Sequence, residues 1–209
     1  MEDLIEQRDG WWWPKYDVAC YKFLKVRNEL PNKISKFCKD TQVVIQAGGN
    51  AGMYVKKYSD IFTTVYTFEP DPINFYCLTK NTPDNVVKFQ ACLGNEPNFV
   101  NLSYNYNNPK KPNSGGFGIA GEGVIPTLTV DSFNFQKCDL IHLDIEGFEK
   151  FALLGAVNTI KRCAPVVALE LNGLGERYNS SDSTVIDLMN SLGYYAAAEV
   201  DDDTVFIKK

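Results

Sequence analysis

The sequence predicts an α/β fold with a doubly wound, mostly parallel sheet that closes in an antiparallel C-terminal hairpin. Short apolar or β-branched runs alternate with segments of helical periodicity, which is typical of repeated βαβ units. Several of these runs end in glycine or in an acidic residue, as strands do where an open parallel sheet forms a ligand crevice. Two short strands at 194–199 and 204–208, joined by consecutive aspartates, predict the hairpin.

The stretch 43–52, VVIQAGGNAG, combines a buried strand, a glycine-rich turn and the start of a helix. Gly48, Gly49 and Gly52 permit positive φ and let a ligand approach the main chain. Amides at the start of the following helix face the same space. We therefore expect a nucleotide-type ligand here. A tight turn without a ligand is the alternative, because the spacing differs from Gly-x-Gly-x-x-Gly.

A second predicted strand, 63–68, ends in Glu69, which is followed by Pro70 and Asp71. An acid about twenty residues after a glycine turn can accept hydrogen bonds from both hydroxyls of a ribose. The turn and the acid together therefore fit an adenosine. The alternative is that Glu69 caps a helix or lies on the surface.

A third predicted strand, 85–93, ends near Ala91 and Cys92. In a doubly wound sheet these small residues would lie beside the adenine ring, a placement that follows from topology alone.

Two later strands also end in polar residues. The stretch 138–145, CDLIHLDI, contains His142 and leads through Asp144 to Glu146, whereas 164–169 leads to Glu170 and Asn172. Carboxylates at the tip of a buried parallel strand lie beside the ligand crevice. Asp144, Glu170 and Asn172 could together bind Mg²⁺ or Ca²⁺; the alternative is that Glu170 only caps the sheet.

The rest of the chain supplies helices and connections. Helices are predicted at 17–30, 33–38, 53–62, 72–81, 147–160 and 183–192. An extended ribbon is predicted at 98–106, a long substrate-side loop at 107–123 and an extended segment at 124–130. Three consecutive tryptophans, Trp11 to Trp13, cannot all face one core. We expect Trp13, Tyr16 and Phe117 to contact a substrate; for the tryptophans, core packing is the alternative.

Composition bounds the class of protein. The 209 residues fit one domain at 43–209, with residues 1–42 as a helical and aromatic segment packed on it. A net charge of −5 argues against a nucleic-acid partner. Six scattered cysteines and one histidine argue against a zinc site and indicate a reducing compartment. Without a signal peptide or a long apolar run, we expect a soluble, cytoplasmic protein with no membrane partner.

These motifs carry a resemblance to a known family. The series VVIQAGGNAG, YTFEPDP, IPTLTVDSF, LIHLDIEGFEKFALLGA and VVALEL resembles the FkbM family of S-adenosylmethionine-dependent methyltransferases. The resemblance implies a Rossmann-like class I methyltransferase fold, S-adenosylmethionine as methyl donor and a hydroxyl oxygen as acceptor. It implies that the turn from Ala47 to Gly52 holds the methionine part of the cofactor and Glu69 its ribose, with Asp144 and Glu146 at the junction of cofactor and substrate. Together with the placements above, the predicted cofactor residues are Gln46, Ala47, Gly48, Gly49, Asn50, Gly52, Glu69, Pro70, Asp71, Ala91, Cys92 and Asp144.

Two residues depart from the family pattern. Gln46 replaces the usual acid of the first motif, and His142 replaces a common lysine before the Asp-x-Glu-Gly segment. Gln46 can still accept and donate hydrogen bonds but brings no charge to the cofactor. His142 could indicate a different general base or a different substrate.

The predicted reaction is O-methylation of a small molecule or saccharide. Methyl transfer from a sulfonium requires alignment of the acceptor and removal of its proton. Asp144 is the first candidate for the base, Glu146 the second and His142 the third. Two alternatives remain open: ribose 2′-O-methylation of RNA or a cap, and a cofactor-binding protein without catalysis.

Overall fold

The computed structural model describes residues 1–104 and 112–209. Its strands are β1 (Ile5–Arg8), β2 (Trp11–Pro14), β3 (Val43–Ala47), β4 (Thr64–Phe68), β5 (Val86–Phe89), β6 (Cys92–Leu93), β7 (Asn98–Tyr104), β8 (Phe117–Leu128), β9 (Leu140–Leu143), β10 (Val166–Glu170), β11 (Tyr194–Val200) and β12 (Asp203–Lys208). Its α-helices are α1 (Cys20–Val26), α2 (Leu30–Ser35), α3 (Met53–Ile61), α4 (Pro72–Asn81), α5 (Glu149–Leu154), α6 (Val157–Cys163) and α7 (Asp182–Ser191).

The central sheet has seven strands in the order β11-β12-β10-β9-β3-β4-β5. The strands from β10 to β5 run parallel, whereas β12 runs antiparallel to both β10 and β11. The predicted α/β class, the mostly parallel sheet and the antiparallel C-terminal hairpin are confirmed. Because β9, β3 and β4 lie next to one another, their carboxyl ends meet at one edge of the sheet.

Helices cover both faces of this sheet. One apolar cluster joins the sheet to α1, α2, α3 and α4, and a second joins it to α5, α6 and α7. All four residues of β9 are buried, as are all but the last residue of β10. The continuous apolar runs of the sequence therefore reflect burial on both faces of a parallel sheet.

The N-terminal segment forms a β-hairpin. Asp9 and Gly10 take φ of +49° and +86°, as the two central residues of a tight hairpin turn do. The Asn81 side chain at the end of α4 bonds both the amide and the carbonyl of Trp12, at 2.9 and 2.8 Å. The hairpin is thereby attached to α4, with Trp13 fully buried beneath it.

Several predicted boundaries are wrong. The helix predicted at 17–30 and the one at 33–38 are instead α1 and α2, and the helix predicted at 147–160 is divided into α5 and α6. Gly155 at this division packs so closely on β6 that a Cβ there would lie 2.0 Å from the Gly94 carbonyl oxygen. The predicted third strand also divides: β5 belongs to the central sheet, whereas β6 pairs with β8 in a separate one.

The largest error concerns the predicted loop at 107–123. Residues 117–123 belong to the twelve-residue strand β8, which pairs antiparallel with β7. Positions 107–111 lie outside the described residues. The strand was not predicted because the glycines at 118, 121 and 123 interrupt the alternation of apolar and polar residues by which a strand is recognised in a sequence.

Candidate active site

A cavity of about 280 Å³ lies at the carboxyl ends of the parallel strands. It is bounded by the turn after β3, the end of β4, the segment after β5, and the ends of β9 and β10. This is the edge of an open α/β sheet at which ligands bind. The cavity therefore brings together polar residues that are separated by more than a hundred positions in the chain.

The turn after β3 forms the floor of the cavity. Gly48 has a φ of +83°, and a Cβ there would lie 1.8 Å from the backbone oxygen of Asp144. A Cβ on Gly49 would lie 2.7 Å from the Thr67 hydroxyl. Asn50 also has a positive φ, +46°. The backbone here is thus held in a form that leaves main-chain atoms facing the cavity.

Glu69 is fixed at the end of β4 by backbone amides. Its carboxylate oxygens accept hydrogen bonds from the Asn50 amide at 2.6 Å and the Asp71 amide at 2.8 Å. Burial raises the pKa of Glu69 to about 8, although these two amide bonds act in the opposite direction. Asp71 accepts hydrogen bonds from the amides of Ile73 and Asn74 and so caps α4.

The predicted cofactor residues fall into two groups. Most line the cavity: Ala47, Gly48, Gly49, Asn50, Glu69, Pro70, Ala91, Cys92 and Asp144. Gln46, Gly52 and Asp71 do not. Gly52 has a φ of +93° and precedes α3, and Asp71 orients Glu69 and α4, so both shape the wall from behind.

Three carboxyl groups gather at the ends of β9 and β10. Asp144, Glu146 and Glu170 all line the cavity. Burial raises the pKa of Asp144, and Asp203 adds to the shift; burial likewise raises the pKa of Glu170, with Asp144 as the second cause. The Asp144 and Glu170 side chains are hydrogen-bonded to each other. Two carboxyls in such contact share a proton.

Glu146 is held in an unusual backbone conformation. Its φ is +57°, a value that non-glycine residues adopt at a cost in free energy. Burial and, to a smaller extent, the nearby Asp144 charge raise the pKa of Glu146 to about 8, although Arg177 acts in the opposite direction. Gly147, with a φ of +96°, follows directly; a Cβ there would lie 2.4 Å from the backbone of Leu174. This tight turn directs Glu146 to the cavity.

His142 and Gln46 lie on adjacent strands beneath the cavity and do not line it. The Nδ1 atom of His142 is 2.9 Å from the Tyr58 hydroxyl, and its Nε2 atom is 3.3 Å from an Asp203 oxygen. Burial lowers the pKa of His142, but Asp203 more than offsets this, so the net shift is upward. The Gln46 side chain accepts a hydrogen bond from the Thr67 hydroxyl at 2.7 Å. Both side chains therefore bond within the protein interior.

The predicted substrate residues occupy three different environments. Phe117 lines the cavity. Trp13 does not; its ring is fully buried, and its Nε1 donates to Asp17 at 2.8 Å. Tyr16 is half-buried and is also absent from the cavity wall.

Sequence reasoning missed one part of the wall, the helix α1, which contributes Cys20, Phe23 and Leu24. The segment 113–115 also lines the cavity and belongs to the loop predicted to face the substrate. Its Ser114 carbonyl accepts hydrogen bonds from the side chains of Asn50 and Asn74, at 3.1 and 2.7 Å. Asp17 connects α1 to this segment, because its carboxylate accepts from the amides of both Cys20 and Ser114. Asp17, the acid before α1, was the available signal in the sequence, but it predicted only where the helix begins and not that the helix lines the cavity.

Residues 1–104 and 112–209 contain neither a metal-type cluster nor a membrane-spanning helix. No group of three or more His, Cys, Asp or Glu side chains is arranged to hold a metal ion. Within the same residues, no helix combines the length and the apolar character needed to cross a membrane. Of the three predicted metal ligands, Asn172 donates to Glu170 at 2.8 Å, and Glu170 contacts Asp144.

The strand order, with the antiparallel strand β12 beside a parallel sheet, is that of the class I methyltransferase fold. The particular family follows from a family model described as the methyltransferase FkbM domain, which matches residues 46–195. The chain belongs to the FkbM methyltransferase family. No curated protein sequence matches it significantly.

Solved structures share the fold at low sequence identity. A TehB-like SAM-dependent methyltransferase from Corynebacterium glutamicum is 13% identical, with a TM-score of 0.51 over 90% of this chain and 94% of that one. Precorrin-6y C5,15-methyltransferase from Geobacter metallireducens is 10% identical, with a TM-score of 0.50 over 98% and 97%. Methyltransferase FkbM from Methylobacillus flagellatus is 18% identical, with a TM-score of 0.48 over 79% of this chain; the match spans only 43% of that relative.

Proposed function

We propose that the protein is an S-adenosylmethionine-dependent O-methyltransferase that acts on a hydroxyl of a small molecule or saccharide. The observation that carries the proposal is one cavity that joins the glycine turn, Glu69 and the acids Asp144 and Glu146. Neither RNA methylation nor a role without catalysis is favoured by a specific feature of this cavity.

The cavity wall suits the polar adenosyl group. Gly48 packs so closely on the Asp144 backbone that the turn is held in place at the floor of the cavity. Asn74 and Ser114 line the cavity, and among the residues that the structure describes the buried Asn74 Oδ1 and Ser114 Oγ have no nitrogen or oxygen hydrogen-bond partner. Buried polar atoms rarely remain unpaired, so a ligand with hydroxyl or amine groups would satisfy them.

Each half of the cavity has its own task. Glu69 would accept hydrogen bonds from the ribose hydroxyls, and the turn from Ala47 to Asn50 would hold the methionine part, with Ala91 and Cys92 beside the adenine. When bound, S-adenosylmethionine supplies an electrophilic methyl group on a sulfonium. Asp144 would accept the proton of the acceptor hydroxyl as its oxygen forms the new bond to carbon.

The remaining candidates would act less directly. Glu146 is the second candidate for the base, and its strained backbone is consistent with a functional role. His142 would act only through β9, which it anchors to Tyr58 and Asp203. Gln46 would support the turn rather than contact the cofactor.

Two variants separate binding from transfer. Calorimetry should show binding of S-adenosylhomocysteine to the wild type, and tritium from labelled S-adenosylmethionine should enter an acceptor from a panel of hydroxyl compounds. Glu69→Gln should weaken the binding. Asp144→Asn should leave it nearly unchanged but reduce transfer at least about a hundredfold. A wild-type protein without affinity for S-adenosylhomocysteine would refute the proposal.

A further inference from the structure

The cavity has two halves that differ in chemistry. The ends of β3 and β4 and the segment after β5 supply the glycine turn, Glu69 and small residues, whereas the ends of β9 and β10 supply the acids. If the first half holds the cofactor, as proposed above, the second is the acceptor half. The inference below rests on that proposed function and concerns the acceptor half.

Helix α1 covers the acids from one side. Burial raises the pKa of the Cys20 thiol, and the carboxylates of Asp17, Asp144 and Glu146 raise it further. These electrostatic contacts show that α1 lies close to the ends of β9. Phe23 and Leu24, further along the helix, also line the cavity, and the Phe23 ring remains 47% exposed. Arg27 already lies over the Phe23 ring, 4.3 Å from its centroid, so a ligand would pack against the part of the ring that stays exposed.

Strand β8 and helix α5 close the opposite side through Tyr178. The Tyr178 hydroxyl accepts a hydrogen bond from the Ile119 amide at 2.7 Å, and its ring meets the Phe148 ring edge-on at 5.2 Å. Phe148 also stacks on Phe151 at 4.6 Å. Apolar side chains form much of the wall around the acids: Phe23, Leu24, Leu102, Phe117, Ile119 and Phe148. Tyr54 and Asn172 are polar members of the same wall.

The cavity wall disfavours an anionic acceptor. Among the lining residues that the structure describes, none is a lysine, arginine or histidine, whereas Glu69, Asp144, Glu146 and Glu170 are acidic; Arg27 and Arg177 lie nearby but do not line the cavity. Burial raises the pKa of all four carboxyl groups, so negative charge is already unfavourable here, and a carboxylate or phosphate on the acceptor would be buried without a cation among the lining residues to pair with it.

Although Tyr54 and Asn172 also line the cavity, the apolar side chains around the acids weigh against a saccharide. Asn172 donates to Glu170, which itself bonds Asp144, so part of the polar capacity is already used within the protein. A sugar has several hydroxyls, and those that faced phenylalanine, leucine and isoleucine would lose their hydrogen bonds to water without replacement. An aromatic ring, by contrast, packs well against such walls.

We propose that the acceptor is an uncharged phenol, whose ring lies between α1 and β8 and whose hydroxyl faces the acids at the ends of β9 and β10. In the transfer, the phenol oxygen forms a bond to the methyl carbon as the sulfur–methyl bond breaks. The phenolic proton passes to a carboxylate, and S-adenosylhomocysteine leaves as a neutral thioether.

Three matched probes test the acceptor class. Tritium transfer from labelled S-adenosylmethionine is measured with 4-ethylphenol, with its anionic counterpart 3-(4-hydroxyphenyl)propanoate, and with methyl α-D-glucopyranoside. We expect transfer to 4-ethylphenol, at least about tenfold less to the propanoate, and background counts for the glucoside. Equal transfer to the propanoate, or preference for the glucoside, would overturn the proposal.

Binding provides a second readout that does not depend on turnover. Saturation-transfer NMR on the protein loaded with S-adenosylhomocysteine should show contact with 4-ethylphenol alone. If S-adenosylhomocysteine binds but 4-ethylphenol does not, the acceptor proposal is wrong and the methyltransferase proposal stands. If S-adenosylhomocysteine itself does not bind, the proposed function fails first.

Two substitutions on the same helix locate the acceptor. Phe23→Ala should raise the KM for 4-ethylphenol about tenfold and leave the affinity for S-adenosylhomocysteine unchanged. Val26→Ala is the matched control, because Val26 is 85% exposed and does not line the cavity. Equal KM values for the two variants would remove α1 from the acceptor site.

Discussion

Gly48 is the residue whose replacement should be least tolerated at the site. Gly48→Ala would combine a positive φ with a Cβ 1.8 Å from the Asp144 oxygen, so β3 and the end of β9 would have to separate. We expect a loss of at least about 2 kcal/mol in the free energy of unfolding and loss of S-adenosylhomocysteine binding. Urea titration and calorimetry measure the two effects.

Gly10→Ala is the control for this prediction. Gly10 has a similar φ, +86°, but a Cβ there has no atom within 4 Å. Its replacement should cost about 1 kcal/mol and leave the affinity unchanged. If both alanine variants lost the same stability and the same affinity for S-adenosylhomocysteine, the close approach of Gly48 to Asp144 would not matter for binding.

Ser114 offers a test in which stability and affinity move in opposite directions. Among the residues that the structure describes, its buried hydroxyl has only a weak partner, the Cys20 thiol, so Ser114→Ala should raise the free energy of unfolding by about 1 kcal/mol. If the cofactor supplies the missing partner, the same variant should bind S-adenosylhomocysteine about five- to tenfold more weakly. Thermal unfolding without ligand and calorimetry with it give the two values.

Thr127→Val is the matched variant for Ser114→Ala. The Thr127 hydroxyl is also buried without a partner, but it does not line the cavity. This variant should gain stability and keep full affinity. A parallel fall in affinity for both variants would mean that Ser114 makes no contact with the ligand.

At the scale of elements, Asp17 joins parts that the sequence keeps far apart. Its buried carboxylate accepts hydrogen bonds from the Trp13 indole and from the amides of Cys20, Tyr21 and Ser114, at 2.8 to 3.1 Å. It thereby fixes the β1–β2 hairpin, the start of α1 and the segment 113–115 to one another. Two of these three elements line the cavity.

Asp17→Asn should therefore affect both folding and binding. An amide nitrogen would face donors where a carboxylate oxygen accepts them, so we expect a loss of about 3 kcal/mol in the free energy of unfolding. Weaker binding of S-adenosylhomocysteine should accompany it. Asp9→Asn removes an exposed carboxylate of the same segment, which pairs with Lys25, and should change stability far less. Urea titration measures the free energy of unfolding of both variants. An equal loss in the two would contradict the prediction.

The elements that could be predicted from the sequence are those with a strong local pattern. The runs that became β3, β4, β9 and β10 are buried on both faces, so their apolar character survives in any window of the sequence. The acids that follow them were placed correctly at one edge, because parallel strands share an end.

The features that escaped prediction depend on contacts far along the chain. β8 is rich in glycine and exists through its pairing with β7, which no local pattern encodes. The position of α1 over the cavity is fixed by Asp17 and Ser114, 97 residues apart. His142 and Gln46 lie inside the sheet for a related reason: the period of a strand does not reveal which of its polar residues will bond to a neighbouring strand.

At the scale of the whole molecule, the buried carboxyls predict how stability depends on pH. Burial raises the pKa of Glu69 and Glu146 to about 8 and that of Glu149 to about 7, from an ordinary value of 4.5. The folded protein therefore retains protons that the unfolded chain releases above about pH 4.5. The stabilisation is complete below that pH and is lost as the pH rises through 7 and 8.

We expect the free energy of unfolding, measured by urea titration, to be lower at pH 8.5 than at pH 5.5. Glu146→Gln should reduce this difference, because it removes one of the groups that takes up the proton. Glu96→Gln, which removes a charge from an exposed position, should leave it unchanged. A wild-type stability that rose over this range would contradict the assignment of protonated carboxyls to the folded state.

The helix α1 lies before residue 46, where the match to the family begins, yet it forms one wall of the cavity. One part of the proposed acceptor wall is consequently encoded outside the stretch that the family model matches, whereas β8 and Phe148 lie within it. Changes at Phe23 and Leu24 would alter that part of the wall without touching strand order or the glycine turn, so related proteins could differ in what they bind while their sheets stay alike. A library that randomises only these two codons would sample new acceptors on an intact scaffold.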